Sequence, residues 1–298
     1  ERAEVATRFL QREPREGAPP THATEVRVAY DASTVFIAVR AFDPEPSRLV
    51  GFLTRRDQRS SSDWIRVLID SYHDGRTAYE FAVNPVGVKQ DVYWFDDGNS
   101  DDSWDAVWDV DVTQDAEGWR AEFRIPFSQL RFGPNAGGPL GFAVVREVAR
   151  LNETSTWPLL ARSANGFVSN FGDLTGVTVP RAVKRLEIVP YAVTQLATEP
   201  REAGNPLQNA VDPGASVGVD VKYALTPSLT ANATINPDFG QVEADPAVVN
   251  LGAFETFFNE RRPFFVEGSG NYRFDVNCND GNCTGLFYSR RIGRQPRG

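Results

Sequence analysis

Between Asp91 and Asp109 the chain reads DVYWFDDGNSDDSWDAVWD, which sets Tyr93, Trp94, Trp104 and Trp108 among seven aspartates. Recognition of a sugar needs flat aromatic surface for the C–H faces of the ring and planar polar groups for its hydroxyls. The stretch is therefore a candidate site for a glycan or oligosaccharide, with Tyr93, Trp94, Trp104 and Trp108 as its contacts. Packing competes with this reading at Trp108, which alternates with Val110 and Val112 as a strand does when one face meets a core. Trp94 and Trp104 flank the acidic loop and are the stronger candidates. The same loop carries Asp96, Asp97, Asp101 and Asp102, hard oxygen donors of the kind calcium gathers in sets of roughly six to eight. Their spacing is not that of an EF-hand, and an exposed acidic loop that is merely solvated has the same composition.

Other chemistries find less support. A glycosidase needs two carboxylates facing each other across a cleft with their proton affinities driven apart. Forty acidic residues supply many such pairs and single out none. His22 and His73 stand in no nucleophile motif, no glycine-rich phosphate loop occurs, and the near pairing of Arg55, Arg56 and Asp57 with Glu80 reads as ion pairs within the fold. The net charge of -9, with basic and acidic residues interleaved, argues against nucleic acid as a partner. No apolar run approaches the roughly 18 residues of a membrane-spanning helix, so membrane contact would come through a barrel or an anchor. The chain opens at Glu1 and contains no methionine, which reads as a processed or partial product.

The elements that must hold the aromatic stretch are strands. TEVRVAY (24–30) and TVFIAVRAF (34–42) form a hairpin across Asp31, Ala32 and Ser33, and the second reads as a central strand. WIRVLID, RTAYEFAVN and VGVKQDVYW follow, separated by turn residues. VWDVDVT and GWRAEFRI make another hairpin with Trp119, Ala121, Phe123 and Ile125 inward, then Pro126 and a short helical turn at 127–130. Seven or more short strands at this spacing predict an antiparallel β-sandwich over residues 1–180.

Past Pro180 and the basic Arg181, Lys184 and Arg185 the pattern changes. Val217, Val219, Val221, Tyr223 and Leu225 alternate with Gly218, Asp220, Lys222 and Ala224; Leu229, Ala231, Ala233 and Ile235 alternate with Thr230, Asn232, Thr234 and Asn236. Such a hairpin, greasy on one face, suits either a soluble sandwich or the wall of an outer-membrane barrel. Then comes a stretch, 236–270, whose part from Phe254 to Phe265 carries five phenylalanines, at 254, 257, 258, 264 and 265, among Glu255, Glu260, Arg261, Arg262 and Glu267. That much aromatic mass must be covered by something.

The segments NPDFGQVEADPAVVNL (236–251), FETFF (254–258), RRPFFVEG (261–268) and FYSRRIGR (287–294) resemble a family of exported bacterial proteins of undefined role. In that family a domain similar to carbohydrate-binding module family 9 precedes an outer-membrane β-barrel. The resemblance implies an all-β chain: a sandwich over 1–180, here without its first strand, and over 181–298 the opening strands of a barrel with a plug-like segment at 236–270. It also implies that the natural chain continues far enough to close the barrel, and it raises calcium as a structural ion without assigning ligands. The function expected is non-enzymatic glycan recognition in the envelope, at the outer membrane, with the sandwich periplasmic or surface-exposed. Partners would be a glycan, outer-membrane lipid and other envelope proteins. The rivals are an envelope glycoside hydrolase and an interaction module with no sugar site.

Cys278 and Cys283, the only two cysteines, flank Asn279, Asp280, Gly281 and Asn282. A metal site would want more ligands, so a small disulfide in an oxidising compartment is expected. Masses of the alkylated native protein, with and without reductant, test this: one bridge is expected, and two alkylatable thiols would exclude it.

Overall fold

The computed structural model describes residues 5–102, 104–132, 138–178, 186–198, 211–226, 229–236, 275–279 and 282–285. The chain divides into two compact units, residues 1–184 and 185–298. Among the described residues, all regular elements longer than a turn are β-strands, in antiparallel sheets.

In chain order, the first unit contains β1 (Val5–Ala6), β2 (Leu10–Glu13), β3 (Thr24–Tyr30), β4 (Thr34–Phe42), β5 (Trp64–Asp70), β6 (Ala78–Val83), β7 (Lys89–Phe95), β8 (Asn99–Asp101), β9 (Asp109–Asp115), β10 (Gly118–Pro126), β11 (Leu140–Val148), β12 (Glu153–Trp157) and β13 (Gly172–Leu174). A five-stranded sheet runs β1-β3-β4-β10-β9. An eight-stranded sheet runs β2-β12-β11-β5-β6-β7-β8, with β13 also paired to β11. Both predicted hairpins are present, β3 with β4 and β9 with β10. The first is turned by Asp31, whose Oδ1 accepts the amides of Ser33 and Thr34. β4 is central in its sheet, and the short helical turn covers Phe127–Gln129.

Period-2 alternation decides what enters the core. Val35, Ile37, Val39 and Ala41 of β4 and Trp119, Ala121, Phe123 and Ile125 of β10 are buried against Ile65, Val67 and Ile69 of β5 and Phe81 of β6. One cation joins them. Arg146 of β11 is almost fully buried and points through the sandwich. Its Nη1 donates to the Ala23 carbonyl at 2.7 Å and the Thr24 hydroxyl at 3.1 Å, and its Nη2 donates to the Phe42 carbonyl at 2.7 Å. A single side chain of the larger sheet thus holds the start of β3 and the end of β4.

The second unit, described by itself, contains β14 (Leu186–Thr198), β15 (Val211–Thr226) and β16 (Leu229–Ile235) in the order β14-β15-β16. They form an open sheet; among the described residues no barrel closes. The register sets Ile188 opposite Val221 and Ala192 opposite Val217, and then Val219 opposite Ile235 and Val221 opposite Ala233. One face is therefore apolar across all three strands, and it is open: Val217 is 70% exposed, Leu196 66% and Ile235 66%. On the other face the Tyr191 ring lies over Gly218, where a Cβ would come within 2.3 Å of it, and its hydroxyl donates to the Asn236 carbonyl at 2.7 Å. β17 (Asp275–Asn279) and β18 (Asn282–Gly285) pair, so Cys278 and Cys283 lie on adjacent antiparallel strands. The plug-like segment expected at 236–270 lies, beyond Asn236, outside the described residues.

Candidate functional site

β7 distributes the chemistry of the Asp91–Asp109 stretch between two faces. Its partner β6 sets Phe81 opposite Asp91, Tyr79 opposite Tyr93 and Ala78 opposite Trp94. Tyr93 accordingly packs against the core, and Trp94 packs on the outer face of the eight-stranded sheet. Trp104, from the loop before β9, turns into the core against Tyr79 and Phe81, with ring centroids 5.0 and 5.9 Å away. Trp108 is buried, stacks on Phe123 at 5.8 Å and donates its indole N–H to Asp91 at 3.2 Å. The four aromatics expected to share one sugar site do not meet. Trp108 is buried, and Tyr93 and Trp104 are half-buried against the inner side of the sheet, while the alternation of β7 puts Trp94, also half-buried, on the outer face.

The carboxylates of the acidic loop go to separate partners. The Asp96 carboxylate accepts from Arg76 at 2.9 Å. Asp97 Oδ1 accepts the amides of Phe167 and Ser169 at 2.9 and 2.8 Å, and its Oδ2 accepts the Ser169 hydroxyl at 2.8 Å. With Asp101 and Asp102 they do not converge: among the described residues no group of three or more acidic, histidine or cysteine side chains is placed to hold a metal. Asp97 has a different task. It fixes a turn through Gly166 that lays Phe167 on Trp94 with ring centroids 4.4 Å apart.

Around Trp94 the outer face carries a charge ladder that runs across four strands. The Glu80 carboxylate is buried and accepts both Nε and Nη2 of Arg66, at 2.6 and 2.7 Å, and the Trp94 indole N–H at 2.8 Å. Arg66 Nη1 also reaches Glu147 of β11 at 3.4 Å, and Glu147 pairs with Arg59. The Arg59 guanidinium lies 5.5 Å over the ring of Trp64, and its Nη1 is 3.5 Å from Gln90 of β7. The strand register explains the fit. Arg66 stands opposite Ala82, whose small side chain leaves room for a guanidinium to reach Glu80 one pair along. Beside the ladder lies an apolar patch of Leu68, Ala143, Val145 and Leu160, with Trp94, Phe167 and Phe171 packed on it. Burial raises the proton affinity of Glu80, but the Arg66 charge and hydrogen bonds, with the Trp94 N–H, outweigh it and hold the carboxyl below its usual range.

Sequence reasoning did not find this ladder. It expected ion pairs of Arg55, Arg56, Asp57 and Glu80 within the fold, and Glu80 and Arg56 do form ion pairs, Glu80 with Arg66. The available signal was a lone arginine amid WIRVLID and a lone glutamate amid AYEFAV, opposite charges within two successive apolar strands. Arg56 instead serves the inner side of β7. Its Nη2 donates to Asp91 and to the Ala106 carbonyl, both at 2.7 Å, and its Nε lies 3.5 Å from Asp57.

Residues 182–298 match the family described as Domain of unknown function (DUF5916). No curated protein matches the chain. Among solved structures, the chain is similar to a carbohydrate binding module of family 9 from Caldicellulosiruptor kristjanssonii. In its complex with glucose the identity is 16%, the TM-score 0.42, and the alignment covers 61% of this chain and 87% of that one. In its complex with cellotriose the identity is 18%, the TM-score 0.41, and the coverage is again 61% and 87%.

The Asp97 turn yields a test. Its carboxyl is raised by burial and lowered more strongly by the Ser169 and Phe167 donors, with a net value below the ordinary one. Its stabilisation is thus complete above the ordinary aspartate value and vanishes as pH falls through the lowered one. Asp97→Ala is expected to cost about 1–2 kcal/mol in urea unfolding, by loss of a capping-type carboxylate. Amide exchange at Phe167 and Ser169 is expected to rise; unchanged exchange there would refute the role.

Proposed function

We propose that residues 1–184 form a glycan-binding module whose ligand lies on the outer face of the eight-stranded sheet, and that the protein recognises glycans without turning them over. The observation that carries this reading is the ladder Arg59, Glu147, Arg66, Glu80, which alternates in charge and ends on the indole of Trp94. Planar donors and acceptors are fixed there beside the partly exposed rings of Trp94, Phe167 and Phe171, the pairing that sugar hydroxyls and ring faces require. Arg59 and Glu147 retain solvent exposure and would meet hydroxyls directly; Arg66 and Glu80 would hold them in place. Binding is favoured over hydrolysis because Glu80 is kept ionised by Arg66 and Asp91 is enclosed by Arg56, the Ala106 amide and the Trp108 indole. Neither is free to act as the general acid that glycoside cleavage needs.

Calorimetry with an oligosaccharide panel that includes cellotriose tests the site. Trp94→Ala and Glu147→Ala are each expected to weaken binding by about 1–3 kcal/mol, the cost of losing an anchoring contact. Full affinity in both folded variants would place the ligand elsewhere, and no binding across a broad panel would remove the reading.

For residues 185–298 the reading is one sector of an outer-membrane barrel, with the module held in the envelope. Support comes from β14 and β15, 13 and 16 residues long, since roughly 9–11 tilted residues suffice to cross a bilayer. The exposed apolar face formed by Ile188, Val217, Val219, Val221, Ala233 and Ile235 would be the lipid side. A barrel takes at least about eight strands, so further strands would complete it. In the full-length protein, Val219→Arg is expected to cost about 2–4 kcal/mol near the bilayer midplane, and Asn232→Arg much less. Carbonate-washed outer membranes should retain the protein, and its recovery as a soluble species would sink the barrel.

A further inference from the structure

The hairpin of β3 and β4 is gripped twice at one end by arginines four residues apart. Arg146 of β11 is the first, holding the carbonyls of Ala23 and Phe42 and the Thr24 hydroxyl from inside the sandwich. Arg150 is the second, on the short helical turn Ala149–Leu151 that follows β11. Its Nη1 donates to Asp43 Oδ2 at 2.6 Å and its Nη2 to Asp43 Oδ1 at 2.7 Å, an almost wholly buried pair just past the end of β4. The same Nη2 lies 3.1 Å from Nε2 of His22, two residues before β3. Each proton of that nitrogen therefore has an acceptor, one beside β3 and one beside β4. A third tie joins the approach to β3 to the larger sheet: the Thr21 amide and hydroxyl both donate to Glu153 of β12. A guanidinium has donors and no acceptor, so the direction of the His22 bond is fixed by chemistry. Nε2 carries the lone pair, and the imidazole proton sits on Nδ1.

We propose that His22 is an acid-sensitive link between the two sheets: neutral, it completes the Arg150 grip on the β3–β4 hairpin, and protonated, it lets go. The link is independent of the glycan-binding reading. Arg150 opposes a positive imidazole, as does Arg146, whose Nη1 is 3.4 Å from the His22 carbonyl. Asp43 beyond β4 and Glu153 of β12 favour one, but both are engaged, Asp43 by Arg150 and the Glu45 amide and Glu153 by Thr21. Asp63, just before β5, is turned to the Ala149 amide at 2.7 Å. Burial is the largest influence, and with the two guanidiniums it outweighs the two carboxylates and holds the imidazole below its ordinary value. The sign follows: this group contributes stability that is full above the ordinary histidine value and is lost as pH falls through the lowered one. A proton on Nε2 sets two donors against each other across the 3.1 Å contact. The half-buried ring then turns to water, and Arg150 keeps Asp43 alone.

Nitrogen-15 NMR of the imidazole reads both tautomer and titration in the wild-type protein from pH 8 to pH 5, with amide-exchange protection of Thr21 and Phe42 followed over the same range. The Thr21 amide reports the Glu153 tie, and the Phe42 amide, which donates to the Ala23 carbonyl at 3.0 Å, reports the hairpin end. The wild type is expected to show the Nδ1–H tautomer at pH 8 and a midpoint below that of a free histidine. Protection at both amides is expected to fall about threefold or more as His22 titrates, the mark of a local opening. His22→Gln offers Arg150 a carbonyl oxygen that does not titrate, and its protection is expected to stay level. An Nε2–H tautomer at pH 8 overturns the proposal whether or not the variant folds, because Arg150 would have no acceptor there. So does a midpoint at or above the free value, wild-type protection that stays level through the titration, or an equal fall in His22→Gln.

Discussion

A buried guanidinium is an expensive way to join two sheets, and the first unit uses one at its centre. Arg146 makes no direct bond to a carboxylate. Its donors end on the carbonyls of Ala23 and Phe42 and the hydroxyl of Thr24, with Asp43, Asp63 and Glu153 acting only through their fields. Burial draws it down to about 10, so it remains a cation at neutral pH. A planar fork suits the task, because two strand ends can be held from one point with fixed directions, which a lysine ammonium does not provide. β11 is thereby locked against β3 and β4, and the neighbours of Arg146 in that strand are Val145 and Glu147, which face the other way into the charge ladder. The outer face inherits its rigidity from a bond network on the inner one.

Alternation along a strand made the sandwich readable. β10 and β4 turn one clean apolar row inward, and the hairpins that join them to β9 and β3 have turn residues at the expected places. The aromatic site was not readable in the same way. Tyr93 and Trp94 are adjacent in sequence and so lie on opposite faces, a consequence of the strand period once β7 is accepted as a strand. Trp104 gave no periodic clue, since it belongs to a loop and its direction depends on where that loop closes. Arg66 and Glu80 were legible as isolated charges, but their pairing needs the β5–β6 register, which the loop between them sets.

The two units illustrate opposite solutions to exposed strands. In the first, apolar rows face each other and charged side chains cover the outside of the smaller sheet, with Arg40, Arg120 and Arg124 paired to Asp109, Asp111, Asp115 and Glu117. In the second, the apolar row of β14, β15 and β16 has no such cover among the described residues, and polar groups gather on the other side. A hydrophobic period alone does not distinguish these cases, because it reports that one face is greasy and not what the greasy face meets.

Gly166 sits so close to Asp97 that a Cβ there would fall 1.9 Å from the carboxylate oxygen, and its own φ of +79° already disfavours other residues. The two positions are separated by some seventy residues of chain and yet form one structural unit. A side chain at 166 would displace the Asp97 carboxylate, and loss of that carboxylate would release the aromatic cover from Trp94, while φ +79° keeps position 166 for glycine in either case. Phe167 is held differently: its amide by Asp97 and its ring by Trp94 and Phe171, at 4.4 and 5.4 Å between centroids. A substitution at Phe167 therefore changes what rests on Trp94 while the amide bond that ties position 167 to Asp97 stays available.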